Sequence, residues 1–357
     1  MANMGQNKTI AFYLPQFYPT PENDEWWGKG FTEWTNVAKA KPLYPGHYQP
    51  RIPADLGFYD LRIQSVREKQ VELAKHAGIY GFCYWHYWFA GRRLLDTVFS
   101  EVVSSGKPDF PFCLCWANHS WYKKTWSVNQ PNTLLIEQTY PGIEDYINHF
   151  NELLPAFKDE RYIRVDGKLL FGVYEPTWIP DTHLFFDTWN NLAKENGLNG
   201  FCFFGFTQGR GKEDESIRLG YNKVVYDCLM DVYSDMPGET RCSMTVARLK
   251  RKLFKYPIVV KYQNYADHAE RFYADHQEWV PCIEPDFDHS PRSGASWLIV
   301  HGSTPERWGM LYKKIAKLSE QRDDGLLFIK SWNEWGEGNY LEPDLKWGTR
   351  YLDVMSE

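Results

Sequence analysis

The run Phe328-Ile-Lys-Ser-Trp-Asn-Glu-Trp-Gly-Glu-Gly338 places two carboxylates, Glu334 and Glu337, three residues apart beside Trp332, Asn333 and Trp335. Two carboxylates facing one space are the minimum for sugar acetal chemistry, one as proton donor and the other as base or nucleophile. An isolated ExxE more often caps a turn. Here an apolar strand precedes it and aromatic rings flank it, which favours Glu334 and Glu337 as the catalytic pair, with Trp332 and Asn333 beside the substrate.

Further candidates stand in similar contexts. Trp26-Trp27-Gly-Lys-Gly-Phe-Thr-Glu-Trp34 sets Glu33 among indoles. Trp26 and Trp34 read equally well as a small satellite core, whereas Trp27 and Glu33 read as a stacking ring and a hydroxyl acceptor for a sugar. Tyr84-Trp-His-Tyr-Trp-Phe89 carries His86, which would donate to a substrate hydroxyl or orient a carboxylate. Trp116 and Asn118, Tyr174 and Glu175, and Asp286 and Asp288 each follow an apolar run. Trp116, Asn118, Tyr174 and Asp288 join Trp27, Glu33 and His86 as expected substrate contacts.

No HExxH, CxxC pair, EF-hand loop or GxSxG elbow occurs, so the expectation is chemistry without a metal or other cofactor. Glu284, Asp286 and Asp288 form an ExDxD cluster that offers only a weak cation site. GxGxxG and GxxxxGK[ST] are absent too, which argues against a nucleotide-phosphate cradle.

These residues need a scaffold that gathers them at one end. Apolar runs predict strands near Thr9–Leu14, Ile79–Tyr84, Phe110–Trp116, Lys168–Tyr174, Gly200–Phe206, Asn222–Asp227, Glu278–Glu284 and Leu326–Ser331. They are continuous rather than alternating, as strands covered on both faces must be. Amphipathic helices are expected over Leu61–His76, Ile143–Phe157, His183–Asn196 and Thr304–Glu320, the first and third stopped by Gly78 and Gly197. Eight such units predict an α/β fold, a single (β/α)8 TIM barrel over residues 1–357, with the active site on the long βα loops. Residues 15–60 and 229–277 interrupt the alternation as insertions, the second with a basic helix over Thr245–Phe254 and a strand-like run at Pro257–Tyr262.

Composition bounds the partners. The net charge is −6 and Lys and Arg are scattered, which argues against nucleic acid bound by phosphate neutralisation. No apolar run approaches the ~20 residues of a membrane span, and the start of the chain shows no secretory core, so the sequence as given reads as cytoplasmic. The seven cysteines, several in apolar runs such as Phe112-Cys-Leu-Cys-Trp116, read as buried free thiols. Aromatic residues reach 17%, more Trp and Tyr than packing alone needs, which hints at sugar faces. Oligomeric state is not legible.

With these residues in view, the chain resembles the WbsX-type family, labelled a glycosyltransferase family, and at a distance the endo-α-mannosidase family of glycoside hydrolases. The resemblance runs through Ile10-Ala-Phe-Tyr-Leu-Pro-Gln-Phe17, Glu25 to Trp34, Gly81-Phe-Cys-Tyr84, Pro111 to Asn118, His301-Gly-Ser-Thr-Pro305 and Trp332 to Gly338. It implies a (β/α)8 barrel, with the upstream glutamate, Glu334, as base on the substrate's own 2-hydroxyl and Glu337 as acid and then base. The chain departs at Asn118-His119-Ser120-Trp121, where relatives commonly read Asn-Glu-Asn-Trp.

The resulting expectation is a retaining glycoside hydrolase acting on an oligosaccharide or polysaccharide. A glycosyltransferase or transglycosylase of bacterial surface polysaccharide (O-antigen) synthesis comes second, and a non-catalytic glycan-binding protein third. The paired glutamates argue against the third, and the missing phosphate cradle against a nucleotide-sugar donor.

Overall fold

The computed structural model describes residues 7–124, 131–209, 211–233 and 256–357, with 246, 249 and 253 between the last two. Apart from those three positions, the basic helix expected over Thr245–Phe254 lies outside the described residues.

The fold is a (β/α)8 barrel of the α/β class. Its strands are β1 (Lys8–Tyr13), β2 (Gly81–Phe89), β3 (Phe112–Trp116), β4 (Lys168–Val173), β5 (Phe201–Gln208), β6 (Lys223–Asp227), β7 (Val280–Ile283) and β8 (Leu326–Ile329). Each overlaps an expected strand. All four β8 residues, Leu326 to Ile329, are fully buried, as a strand covered on both faces must be.

The chain forms two compact units, Met1–Ile79 with Cys228–Glu357, and Tyr80–Asp227. In the first, β8 pairs in parallel with β1, from Lys8 opposite Leu326 to Ala11 opposite Ile329, and on its other edge with β7. The helix Pro305–Ser319 follows the strand Leu298–His301. It opens with Thr304 accepting from the Arg307 amide and proline in its first turn, a pairing that suits a helix start. The expected strand-like run at 257–262 is a strand, Ile258–Lys261, parallel to Leu298–His301. The 15–60 connection is not bare loop: it holds two short helices, Pro21–Trp27 and Glu33–Lys39.

In the second unit β2 to β6 lie side by side in chain order, all parallel. Its core explains much of the aromatic excess. Trp189, on the helix Thr182–Glu195, is fully buried and has the rings of Phe185, Phe171 and His149 within 4.7, 4.8 and 5.0 Å. Its indole N–H is satisfied by the Tyr146 carbonyl at 2.9 Å. Truncating such a ring to alanine costs about 3–5 kcal/mol. Cys113 and Cys115 face one side of β3, and every cysteine among the described residues is free and buried.

Candidate active site

β8 runs into Lys330, Ser331 and Trp332 and then into a short antiparallel pair, Asn333–Glu334 against Asn339–Tyr340. A 3₁₀ turn, Trp335–Glu337, joins its two strands, and Gly338 takes the left-handed conformation (φ 58°) that releases the chain. Residues three apart eclipse in a 3₁₀ turn, so Glu334 and Glu337 come out on one side. Asn333 anchors this hairpin: its Oδ1 accepts from the Leu14 amide at 2.7 Å and its Nδ2 donates to the Leu14 carbonyl at 3.1 Å. Asn333 is thus a buried clamp on the end of β1.

Arg292 joins the carboxylates. It lies on the short helix Ser290–Ser293 beyond β7, and its guanidinium donates Nη1 to Glu337 Oε1 at 2.5 Å, Nη2 to Glu334 Oε2 at 3.1 Å and Nε to Glu33 Oε2 at 3.0 Å. Lys330 Nζ stands 3.7 Å from Glu337 Oε2 and His289 Nε2 3.9 Å from Glu337 Oε1. Burial pushes the Glu334 carboxyl up to about 7; Arg292 opposes the rise, Glu337 and Glu33 add to it, and Lys330 opposes it. Burial alone would depress the Arg292 guanidinium, but Glu33, Glu334 and Glu337 hold it above its ordinary value. The cluster is therefore a cation held among three acids, one of which exchanges its proton near neutral pH.

Behind the turn is a second buried acid. Glu342 accepts from Trp335 Nε1 at 2.6 Å, Gln70 Nε2 at 2.6 Å and Tyr59 Oη at 2.8 Å. Burial raises it to about 7 despite these bonds and one from Trp332. Trp332 itself is fully buried. Expected as a stacking platform, it has no open face and instead backs the hairpin. Trp34 is likewise structural: it is buried, with Phe17, Tyr59 and Trp335 around it, and donates to the Tyr59 carbonyl. Trp27 is 40% exposed, with Phe31 stacked beside it at 5.7 Å.

Asp288 adjoins the pair through its backbone, whose amide donates to the Glu337 carbonyl at 2.6 Å. Its carboxylate accepts from His47 at 2.8 Å and Gln49 at 2.6 Å. Burial would raise it, but His47, Arg51, Gln49 and Ser290 together hold it well below the usual range. Asp286 pairs at 2.9 Å with Arg51, which also lies 3.8 Å from Asp288, and Glu284 accepts from Tyr265 at 2.6 Å, so each ExDxD acid is engaged by protein groups.

The remaining expected contacts belong to the second unit. His86 Nε2 lies 2.7 Å from Nε2 of His149, on the helix Ile143–Phe157. Burial holds both imidazoles well below their ordinary value, hence neutral. His86 is spent on a partner in the helix layer. Trp116 is fully buried against His149 and Phe185 and donates to the Trp88 carbonyl. Asn118 locks its loop, donating to Tyr140 and the Glu175 carbonyl and accepting from the Glu175 amide. Tyr174 is half-buried, stacks on Phe206 at 5.5 Å and donates to Gln208. His119, at the departure from the common pattern, is lowered to about 4, by burial and then by Lys124.

Arg292 and Lys330 were not singled out from the sequence. The available signal was charge balance: Glu334 and Glu337 together require cations nearby, and Arg292 sits four residues beyond Asp288.

The fold and the site together are a (β/α)8 barrel with clustered acids beyond its last strand. The chain belongs to the family described as Glycosyltransferase WbsX, whose model matches residues 9–355. A relative described as uncharacterized protein WxcX, from Xanthomonas campestris pv. campestris, is 35% identical over 98% of this chain and 49% of its own length. The chain thus spans about half the length of the curated relatives it matches. Among solved structures, the GH99 endo-alpha-mannosidase from Bacteroides thetaiotaomicron shares the fold with a TM-score of 0.59 at 14% identity, over 98% of this chain and 96% of that one. A glycoside hydrolase-like protein gives 0.59 at 13% identity, over 99% and 94%.

Proposed function

We propose that the protein is a retaining glycoside hydrolase acting on an oligosaccharide or polysaccharide, that residues 1–357 act as one catalytic domain, and that Glu334 and Glu337 carry the chemistry. The observation that supports this most is the single guanidinium of Arg292 bonded to both glutamates, which holds them toward one space and couples their protons. Glu334, raised to about 7 chiefly by burial, suits a base at neutral pH, because a raised carboxyl is a stronger proton acceptor than an ordinary one. In this reading Glu334 takes the proton of the substrate 2-hydroxyl as its oxygen attacks C1. The bond from C1 to the leaving oxygen breaks, and Glu337 protonates that oxygen. Water then gives a proton to Glu337, attacks C1 and opens the 1,2-anhydro ring, and Glu334 returns its proton to O2. This substrate assistance departs from the usual two-carboxylate scheme. It requires Arg292 to leave Glu337 when the leaving oxygen arrives. Trp27 and Glu33 would contact the sugar.

The family description favours a second reading, transfer of a glycosyl group. The test is incubation with a glycan panel and with nucleotide sugars, reading reducing ends and nucleotide release. New reducing ends that vanish in Glu334→Gln and Glu337→Gln are the expected result. Acceptor-dependent nucleotide release without reducing ends would establish transfer instead. Glu337→Gln should spare aryl glycosides relative to substrates with poor leaving groups, while Glu334→Gln slows both. Efficient turnover of a 2-deoxy substrate would exclude the hydroxyl's participation.

A further inference from the structure

The unit that carries the glutamates also contains a cavity of about 300 Å³ whose lining includes none of Glu33, Arg292, Glu334 or Glu337. Three segments and Asp286 build it: residues 44–51 of the long connection, 299–304 before the helix Pro305–Ser319, and 340–351 beyond the hairpin. Its half-buried walls are rings, Tyr44, Tyr48, Trp347 and Tyr351. Its deepest cation, Arg51, is bound to Asp286 at 2.9 Å and to the Gly338 carbonyl at 2.9 Å, while Arg51 Nε is buried with no hydrogen-bond partner among the described residues.

The lining chemistry selects the ligand. Its acids are already engaged: Asp344 accepts from Tyr340 Oη and the amides of Lys346 and Trp347, Glu342 from Trp335, Gln70 and Tyr59, and Asp286 from Arg51. A metal cation would therefore find no open carboxylate. Arg51 is neutralised by Asp286, with Asp288 3.8 Å away, so the buried floor carries no uncompensated charge, and the lining lysine, Lys346, stands at the exposed rim 4.6 Å over the Tyr48 and Trp347 rings. Flat rings over a charge-balanced polar floor match a neutral ligand with C–H faces and hydroxyl edges. The volume is at the low end of small-molecule sites, which run from about 300 Å³.

Two routes tie the cavity to the glutamates. Arg51 holds the carbonyl of Gly338, the residue after Glu337. Tyr44 stacks on His47 at 4.6 Å, His47 bonds Asp288, and the Asp288 amide donates to the Glu337 carbonyl. We propose that this cavity is a second sugar subsite, holding a neutral glycosyl residue of the substrate outside the linkage being cleaved. The proposal rests on the glycan-processing reading for the identity of the chain it holds, but the binding itself needs no turnover.

The test uses the full chain carrying Glu334→Gln and Glu337→Gln, titrated calorimetrically with neutral manno- and gluco-oligosaccharides of increasing length. Adding Trp347→Ala should weaken the tightest of these by roughly tenfold, the weight of one stacked ring. Trp347→Phe, which keeps a ring and guards against a merely misfolded alanine variant, should recover part of the loss. Unchanged affinity in Trp347→Ala, or binding of none of these oligosaccharides, overturns the subsite. Trp347-dependent binding in a protein whose parent form releases no reducing ends would keep the subsite and overturn the hydrolase.

Discussion

Arg292 Nη1 lies 2.5 Å from Glu337 Oε1, and the same guanidinium reaches Glu334 with Nη2 at 3.1 Å. A bidentate fork shared between two carboxylates stabilises the ionised form of each, and so opposes what burial does to Glu334.

Removing the cation should therefore move the pH profile. Arg292 lowers the Glu334 carboxyl, so Arg292→Gln should raise it further and shift the acidic limb of kcat/KM to higher pH, with activity down at least about tenfold. Arg292→Lys keeps the charge and should leave the limb nearer its original position. A limb unmoved in Arg292→Gln would detach Arg292 from the chemistry.

The parent protein makes a simpler prediction. A base must be ionised to act, and burial pushes the Glu334 carboxyl up to about 7, so kcat/KM should climb as pH rises through that value. A profile flat from about pH 5 to 9 removes Glu334 from the role of base.

Stability should respond to pH with the opposite sign. Burial raises Glu342 and Glu334 to about 7 in the folded chain, against about 4.3 for an unfolded glutamate. Between those values the folded state binds more protons than the unfolded one, so these groups make stability fall as pH rises across that window. Tm measured from about pH 4.5 to 7 should show the fall, and Glu342→Gln, which cannot ionise, should flatten it.

Gly336 has a different liability. A Cβ there would overlap Glu33 Oε2 and stand 2.8 Å from Arg292 Nε. Gly336→Ala should push both groups off the turn, costing about 1–3 kcal/mol of stability by thermal melts and a larger share of activity.

Trp27→Ala tests the exposed ring. Loss of stacking should weaken glycan binding by about 1 kcal/mol. Raising salt to about 0.5 M should change affinity little for a neutral glycan, and a steep salt dependence would instead indicate an anionic one.

Period and punctuation made the eight strands legible, because burial on both faces writes itself into local sequence as an unbroken apolar run. Partner choice left no such trace. Glu33 meets Arg292 across 259 residues, and nothing in either neighbourhood names the other. Trp332 and Trp116 looked like substrate contacts because both follow strands, yet both are fully buried in packing, since an indole near a strand end can serve either layer. His86 followed the same logic and found His149. The aromatic surplus misled in one respect: much of it fills the core around Trp189, while the rings that remain half-buried, such as Tyr44 and Trp347, lie in segments with no periodic signal.

Asn333 meets Leu14 across 319 positions of chain. Its two bonds set the hairpin that aims Glu334, so that hairpin cannot take its final form on a ribosome until β8 and the residues after it have emerged to meet the first strand. Chains interrupted before Asn333 would carry Glu33 and Arg292 but neither carboxylate of the pair. Activity in a synthesis time course should therefore appear abruptly and late, and slow closure of so long a loop should delay it further.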